Sequence, residues 1–436
     1  MSNLVESLKQ TALGKIPTEW SLKKFEDCTD KVGSGVTPKG GSKAYVESGI
    51  PLLRSQNILS GKLKLADVAF ITQAQHDKMK GSKLKAGDVL LNITGASIGR
   101  CAVLPDNFDE GNVNQHVCII RTNELLVPSY CGFFLNSAMG QKQIWNLQAG
   151  GNREGLNFQQ IKSFSIIVPP REEQQKIAEV LSTVDQKIDL IDQKIAETQK
   201  LKTGLMQKLF SEGVGVQDEE GNWQPHTEFQ VASDVNVPAC WNLMSLENIA
   251  TVERGKFSAR PRNDPKYYGG DIPFVQTGDV VNAATYIETY SQTLNDLGLT
   301  VSKMFPVGTI LITIAANIGD VAITKYPLAC PDSLVGIQAN ESKCNVHWLF
   351  YFLQTQKSEL DSKATKSAQK NINLQVLKPL TVYLPPLEEQ SIIAETLSTV
   401  DEKLALLEKQ KVETQQLKKG LMQKLLTGEW RVPLDS

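Results

Sequence analysis

Apolar residues recur at alternating steps of four and three along Ile177, Leu181, Val184, Ile188, Ile191 and Ile195. They do so again along Ile393, Leu397, Val400, Leu404 and Leu407. A 3.5-residue repeat predicts a helix with a narrow apolar seam, the kind that packs against another helix. Each run opens with Pro-Pro and then acids, Arg171-Glu172-Glu173 in one case and Leu387-Glu388-Glu389 in the other. Proline fits the first helical turn and carboxylates favour its positive end, so both are helix starts. Thr198 and Thr414 take the next seam positions, after which the stripe moves to Leu201, Leu205, Leu209 and to Leu417, Leu421, Leu425. A register slip is therefore expected near the middle of each helix. Gly213 and Gly428 end them. At ~1.5 Å per residue, each rod is roughly 60 Å long.

The two rods are copies. "PPREEQQKIAEVLSTVDQKIDLIDQKIAETQKLKTGLMQKL" (169–209) and "PPLEEQSIIAETLSTVDEKLALLEKQKVETQQLKKGLMQKL" (385–425) lie 216 positions apart and agree at 26 of 41 places without a gap. An isolated seam would be an exposed apolar stripe, so the rods are expected to bury their seams on each other.

Before each rod lies a block in which short β-branched runs alternate with turns. Residues 89–93, 117–120, 166–168, 310–314 and 381–384 read as strands. "FFLNSAMGQKQIWNL" and "HWLFYFLQTQKSEL" read as amphipathic helices. The blocks echo each other faintly: "IPTEW" with "VPACW", "GIPLLRSQNI" with "DIPFVQTGDV", and "AGDVLLNITGASIGRCAV" with "VGTILITIAANIGDVAI". The expected order is a globule (1–168), a rod (169–212), an acidic Gly-containing connector (213–235), a second globule (236–384), a second rod (385–428) and a tail (429–436). This is an α+β chain: two globular α/β domains and a long antiparallel two-helix coiled coil with pseudo-twofold symmetry.

Composition changes this picture little. The net charge is −2, but residues 1–168 carry 19 Lys and Arg against 14 acids, while residues 213–241 carry five acids and no Lys or Arg. That is a mild basic bias on the first globule, weakly favouring a nucleic-acid partner. No apolar run approaches the roughly 20 residues of a membrane span, and the start lacks a secretory pattern, so a cytoplasmic protein is expected. Seven scattered cysteines with no C-x-x-C pair read as reduced, buried side chains.

The motifs that carry chemistry are missing. No G-x-x-x-x-G-K-[ST] loop, H-E-x-x-H pair or G-x-S-x-G elbow occurs, and the Pro-Pro pairs lack the Asn or Asp before them and the Tyr after them that an amino-methyltransferase would need. No catalytic residue or metal ligand is assigned to this chain.

The doubled "PP.EEQ..IAE.LSTVD.K" and "GLMQKL" segments, joined to blocks carrying "GSGVTPKGG", "RSQNI", "GDVLLNITGASIG" and "NQHV", resemble the specificity subunit of type I restriction-modification enzymes. The resemblance spans roughly residues 14–428. It implies that each globule is a target recognition domain reading one half of a bipartite, asymmetric DNA site. It also implies that the helices fix the spacing of the half-sites and dock two methyltransferase subunits, with restriction-translocase subunits joining through the complex. S-adenosylmethionine, ATP and Mg would serve those partners, which methylate adenine N6, and this chain would hold no cofactor and perform no catalysis. Two other readings fit the same layout, a specificity subunit of a motor-less methyltransferase complex and a coiled-coil protein-interaction scaffold.

Base edges are read by a few Arg, Lys, Asn and Gln side chains, so polar residues on loops without apolar periodicity are the candidates for DNA contact. In the first globule they are Thr37, Lys39, Lys43, Arg54, Gln56, Asn57, Asn114, Gln115 and Arg153. In the second they are Arg254, Lys256, Arg260 and Arg262, crowded on one loop, with Gln276, Thr277 and Asn317 at matched positions. Gly33, Gly35, Gly95, Gly99 and Gly319 read as turn formers.

Overall fold

The structure, a computed structural model, describes residues 7–148, 155–232, 235–315, 317–364 and 371–433. The chain folds into two compact units, residues 1–193 with 409–436 and residues 194–408. The long helices, Arg171–Leu209 and Leu387–Thr427, are thus each divided between the units and do not form a domain of their own.

In the first unit an antiparallel sheet has the order Thr29–Ser34, Val117–Thr122, Val89–Asn92, Cys101–Val103. Side chains alternate across a strand, and here both faces are covered. Val89 and Leu91 enter one core with Tyr130, Phe134 and Leu135 of the helix Pro128–Asn136, while Leu90 enters a second core with Leu53 and Ile58. A smaller sheet, Ala69–Ile71, Ile50–Leu53, Asn112–Val113, lies on that second side.

The second unit repeats the plan. Its larger sheet runs Ala250–Arg254, Leu334–Ala339, Ile310–Thr313, Val321–Thr324, Tyr286–Ile287. Ile310 and Ile312 face the main core with Trp348 and Leu349, and Leu311 faces a second core with Val275 and Phe305. Its smaller sheet joins Gln292–Leu294, Tyr268–Phe274, Leu328–Ala329 and Met304–Phe305.

One expectation needs correction. Each stretch read as one amphipathic helix is two, Pro128–Asn136 with Ala138–Gln148 and Val346–Thr355 with Lys357–Ser362. At the first break the Ser137 hydroxyl donates to the Phe134 carbonyl at 2.6 Å and accepts from the Gly140 N–H at 3.3 Å, ending one helix and starting the next. The connector holds the hairpin Val216–Gln217/Trp223–Gln224 and the strand Phe229–Ala232, which pairs with Val235–Pro238.

The helices are antiparallel. In the first unit Lys418 meets Asp185 and Lys411 meets Asp192, each at 2.6 Å. In the second unit Lys202 meets Asp401 at 2.6 Å, the pair that the 216-residue offset derives from the first. Ile177, Leu181, Ile188, Ile191, Ile393, Leu397, Val400 and Leu407 are buried, with Val184, Ile195 and Leu404 half-buried. The expected slip does not occur. Thr198 and Thr414 remain in the seam at 5% and 7% exposure, whereas Leu201 and Leu417 are 51% and 55% exposed. The 3.5 repeat continues unbroken through Lys202 to Leu205 and Leu209. The threonines are tolerated because each hydroxyl donates back to a carbonyl four residues earlier, Lys194 and Gln410, both at 2.7 Å. Lys202 and Lys418 each lie between a carboxylate and a ring, Tyr351 for Lys202 and Phe133 for Lys418. These pairs keep some access to water, so Lys418→Met is expected to change the unfolding free energy by no more than about 1 kcal/mol in urea titrations.

The repeated "EEQ" has a counterpart in each unit. Glu173 and Glu389, both 1% exposed, accept the indole N–H of Trp20 and of Trp241 at 2.9 Å. Gln174 accepts the Val127 N–H and donates to the Leu125 and Pro169 carbonyls. Gln390 does the same with Asn345, Lys343 and Pro385. The remaining partners of the two glutamates differ. Arg431 of the tail donates to both Glu173 oxygens at 2.6 and 2.9 Å, while Glu389 takes the Val214 and Gly215 N–H groups and His226.

Candidate nucleic-acid interface

In each unit the chain leaves the first strand of the larger sheet through a glycine that permits a close crossing. A Cβ on Gly35 would stand 1.6 Å from the Val113 carbonyl oxygen, and one on Gly255 would stand 2.3 Å from that of Pro331. The crossing brings the following loop, residues 36–45 or 256–267, beside the end of the smaller sheet. Gly35→Ala and Gly255→Ala are each expected to destabilise the unit by about 1–3 kcal/mol, measured by thermal unfolding, because backbone must move to admit the methyl.

In the first unit Lys39, Lys43, Gln56 and Gln115 are exposed and Thr37 and Arg54 half-buried. The Arg54 guanidinium lies 5.7 Å from the centre of the Tyr45 ring and 3.7 Å from Asp67, and Gln56 donates to the same carboxylate at 2.7 Å. The Arg54 Nε is buried without a hydrogen-bond partner. Asn57 does not belong with these side chains: it is fully buried, accepting from the Arg54 N–H and donating to the Lys64 and Asp67 carbonyls. Asn114 is also buried, its oxygen accepting the His116 N–H at 3.2 Å. Both amides hold loops in shape. Arg153 lies outside the described residues.

In the second unit Arg254, Lys256, Arg260 and Arg262 are all exposed. Arg262 forms a two-pronged pair with Asp332, both contacts at 2.8 Å, and Arg254 donates to the Asp332 carbonyl at 2.5 Å. Arg260 turns back onto the Phe257 and Ala259 carbonyls. Gln276 donates to Gln292 at 3.0 Å, and Thr277 to Ser333 at 3.2 Å. Arg262, Gln276 and Gln292 line a hollow of about 280 Å³ whose apolar wall is Phe257, Tyr268 and Phe274. Burial pushes the Tyr268 phenol up, and its hydroxyl donates to the Arg262 carbonyl at 2.5 Å. Asn317 is not brought to this place. It is exposed and lines a separate cleft with Asp320, Gln354 and Lys357.

Tyr45, Asp67, Gln292 and Asp332 were missed by sequence reasoning. Asp332 stands in "CPDSLVG", the stretch that replaces "NVNQHVC", so divergence between the blocks was its available signal. Among the described residues no group of three His, Cys, Asp or Glu side chains is disposed to hold a metal, and no helix is long and apolar enough to cross a membrane.

The family model described as type I restriction modification DNA specificity domain matches the chain twice, over residues 17–200 and 238–416. The chain belongs to that family. Among similar proteins, the MjaX protein of Methanocaldococcus jannaschii, provisionally named a type I restriction enzyme specificity subunit, is 27% identical over 431 residues, covering 98% of this chain and 97% of that one. The EcoKI specificity subunit of Escherichia coli is 21% identical over 87% of this chain and 82% of its own. The fold is that of a type I restriction-modification S subunit from M. genitalium, with a TM-score of 0.58 at 13% identity, covering 93% of this chain and 96% of that one. Each matched stretch of this specificity subunit contains one globule, its loop-and-strand-end cluster and most of the helix that follows.

Proposed function

We propose that this specificity subunit recognises a bipartite, asymmetric DNA site and docks two methyltransferase subunits, with restriction-translocase subunits added through the complex. The observation that carries the reading is the pair of polar clusters built on one scaffold with different side chains. One scaffold read twice gives two half-sites, and different side chains make them unequal. The doubled helix supports the second part. Leu190 and Leu417 are exposed in the first unit, and the equivalent Leu406 and Leu201 in the second, so each unit offers the same pair of exposed leucines to one of two copies of a partner. S-adenosylmethionine, ATP and Mg then belong to the partner subunits, and this chain contributes recognition in the cytoplasm without chemistry of its own.

Mapping methylated adenines in DNA from cells carrying the intact system tests the first part, with an interrupted two-part motif as the expected result. A contiguous motif, or no methylation dependent on this chain, contradicts it. For the second part, Leu190→Glu with Leu417→Glu is expected to reduce the bound methyltransferase from two copies to one in sedimentation or native mass measurements. Retention of both copies argues for another docking face.

A further inference from the structure

Arg54 and Gln276 occupy the same scaffold position in the two units. Arg54 follows the strand Ile50–Leu53, which pairs antiparallel with Ala69–Ile71 and parallel with Asn112–Val113. Gln276 stands two residues beyond the strand Tyr268–Phe274, which pairs antiparallel with Gln292–Leu294 and parallel with Leu328–Ala329. In both registers the strand's matching residues, Leu52 and Phe274, face the first residue of the antiparallel neighbour, Ala69 and Gln292. Each residue is then the cap of a short helix, Ser55–Asn57 or Thr277–Asn282, with extended backbone at φ −116° and −99°. In each case its N–H is held by the side chain three residues on, Asn57 at 2.9 Å and Asp279 at 2.7 Å. The peptide is clamped in the same way twice, and only the side chain differs.

That difference is a difference in base-edge chemistry. A guanidinium presents parallel donors that match O6 and N7 of guanine, whereas a carboxamide presents a donor beside an acceptor, matching N7 and N6 of adenine. Arg54 is steadied by Asp67, which Gln56 braces, and by the Tyr45 ring. Gln276 gives one N–H to Gln292, which leaves its second N–H and its Oε1 for a base edge. We infer that this position selects one base pair in each half-site, guanine through Arg54 and adenine through Gln276. The inference rests on the DNA reading given above and deepens it.

The test uses the complete enzyme complex in a host free of other adenine methylation. Wild type, Arg54→Gln and Gln276→Arg are compared by their genome-wide methylated motifs. Each variant is expected to change or relax one base pair in one half only, at a guanine for Arg54→Gln and at an adenine for Gln276→Arg. Where a variant abolishes methylation, wild-type complex is instead titrated on duplexes carrying 7-deazaguanine or 7-deazaadenine at each guanine or adenine of the motif. Loss of the N7 acceptor at one guanine of one half and one adenine of the other is expected to weaken binding roughly five- to hundredfold. Variant motifs identical to wild type, or full affinity on every deaza duplex, overturn the inference while leaving the bipartite reading in place. A wild-type motif without two parts removes both.

Discussion

Glu173→Ala is expected to lower the unfolding free energy of the first unit by about 1–3 kcal/mol, the range for leaving a buried donor without its acceptor. The carboxylate is 1% exposed and joins three things distant in sequence: the Trp20 indole, the Arg431 guanidinium and the first turn of the helix Arg171–Leu209. Its removal leaves the buried Trp20 indole N–H without an acceptor at its full desolvation cost, while Arg431, partly exposed, keeps only Glu19 as a partner. Glu173→Gln keeps an oxygen for Trp20 but cannot balance Arg431, so an intermediate loss is expected. Glu389→Ala is expected to weaken the second unit comparably, since two backbone N–H groups, Trp241 and His226 lose a common acceptor. Urea titrations followed by tryptophan fluorescence check this directly, because each glutamate touches an indole. A midpoint for Glu173→Ala within experimental error of wild type refutes the anchor role.

Replacing Arg254, Lys256, Arg260 and Arg262 together with alanine is expected to reduce the DNA affinity of the assembled complex by several-fold to a thousandfold. The reduction divides unequally among the four. Arg262 offsets the Asp332 carboxylate and Arg254 holds the carbonyl of the same residue, so their removal both deletes cations and exposes an unbalanced carboxylate toward phosphate. Arg260 is bound to its own loop, so its part is chiefly to hold the loop's shape. Each cation removed from a phosphate should reduce the slope of log K against log salt by about 0.9. Unchanged affinity and salt slope in the quadruple variant would remove this loop from the interface.

The helices were legible in sequence because a 3.5-residue apolar repeat suits a helix seam and little else, and the same repeat recurs 216 residues further on. The slip was misread because apolar pattern alone admits Thr198 at one seam position but not Lys202 at the next, and so moves the stripe to Leu201. Their fitness there depends on a back-bonded hydroxyl and a cross-helix carboxylate, both invisible without pairing. The paired position of Arg54 and Gln276 was legible through "GIPLLRSQNI" and "DIPFVQTGDV", since strand and cap chemistry preserve local spacing. Their surroundings were not. Gln292 and Asp332 come from distant parts of the chain, and strand register decides which residues sit side by side. Asn57 and Asn114 are held inward for a related reason: an amide in a loop serves the loop's own backbone when that backbone is buried.

The first unit is discontinuous in the chain, and this has a consequence for the order in which the protein is made. Residues 194–408 are contiguous and leave the ribosome with every part of their unit present. The segment synthesised before them must wait for residues 409–436, which bring Leu421, Leu425 and Arg431 to Ile177, Leu181 and Glu173. The half translated first is therefore the half completed last, and a nascent chain that stops short of Arg431 carries a buried acid with no cation to meet it.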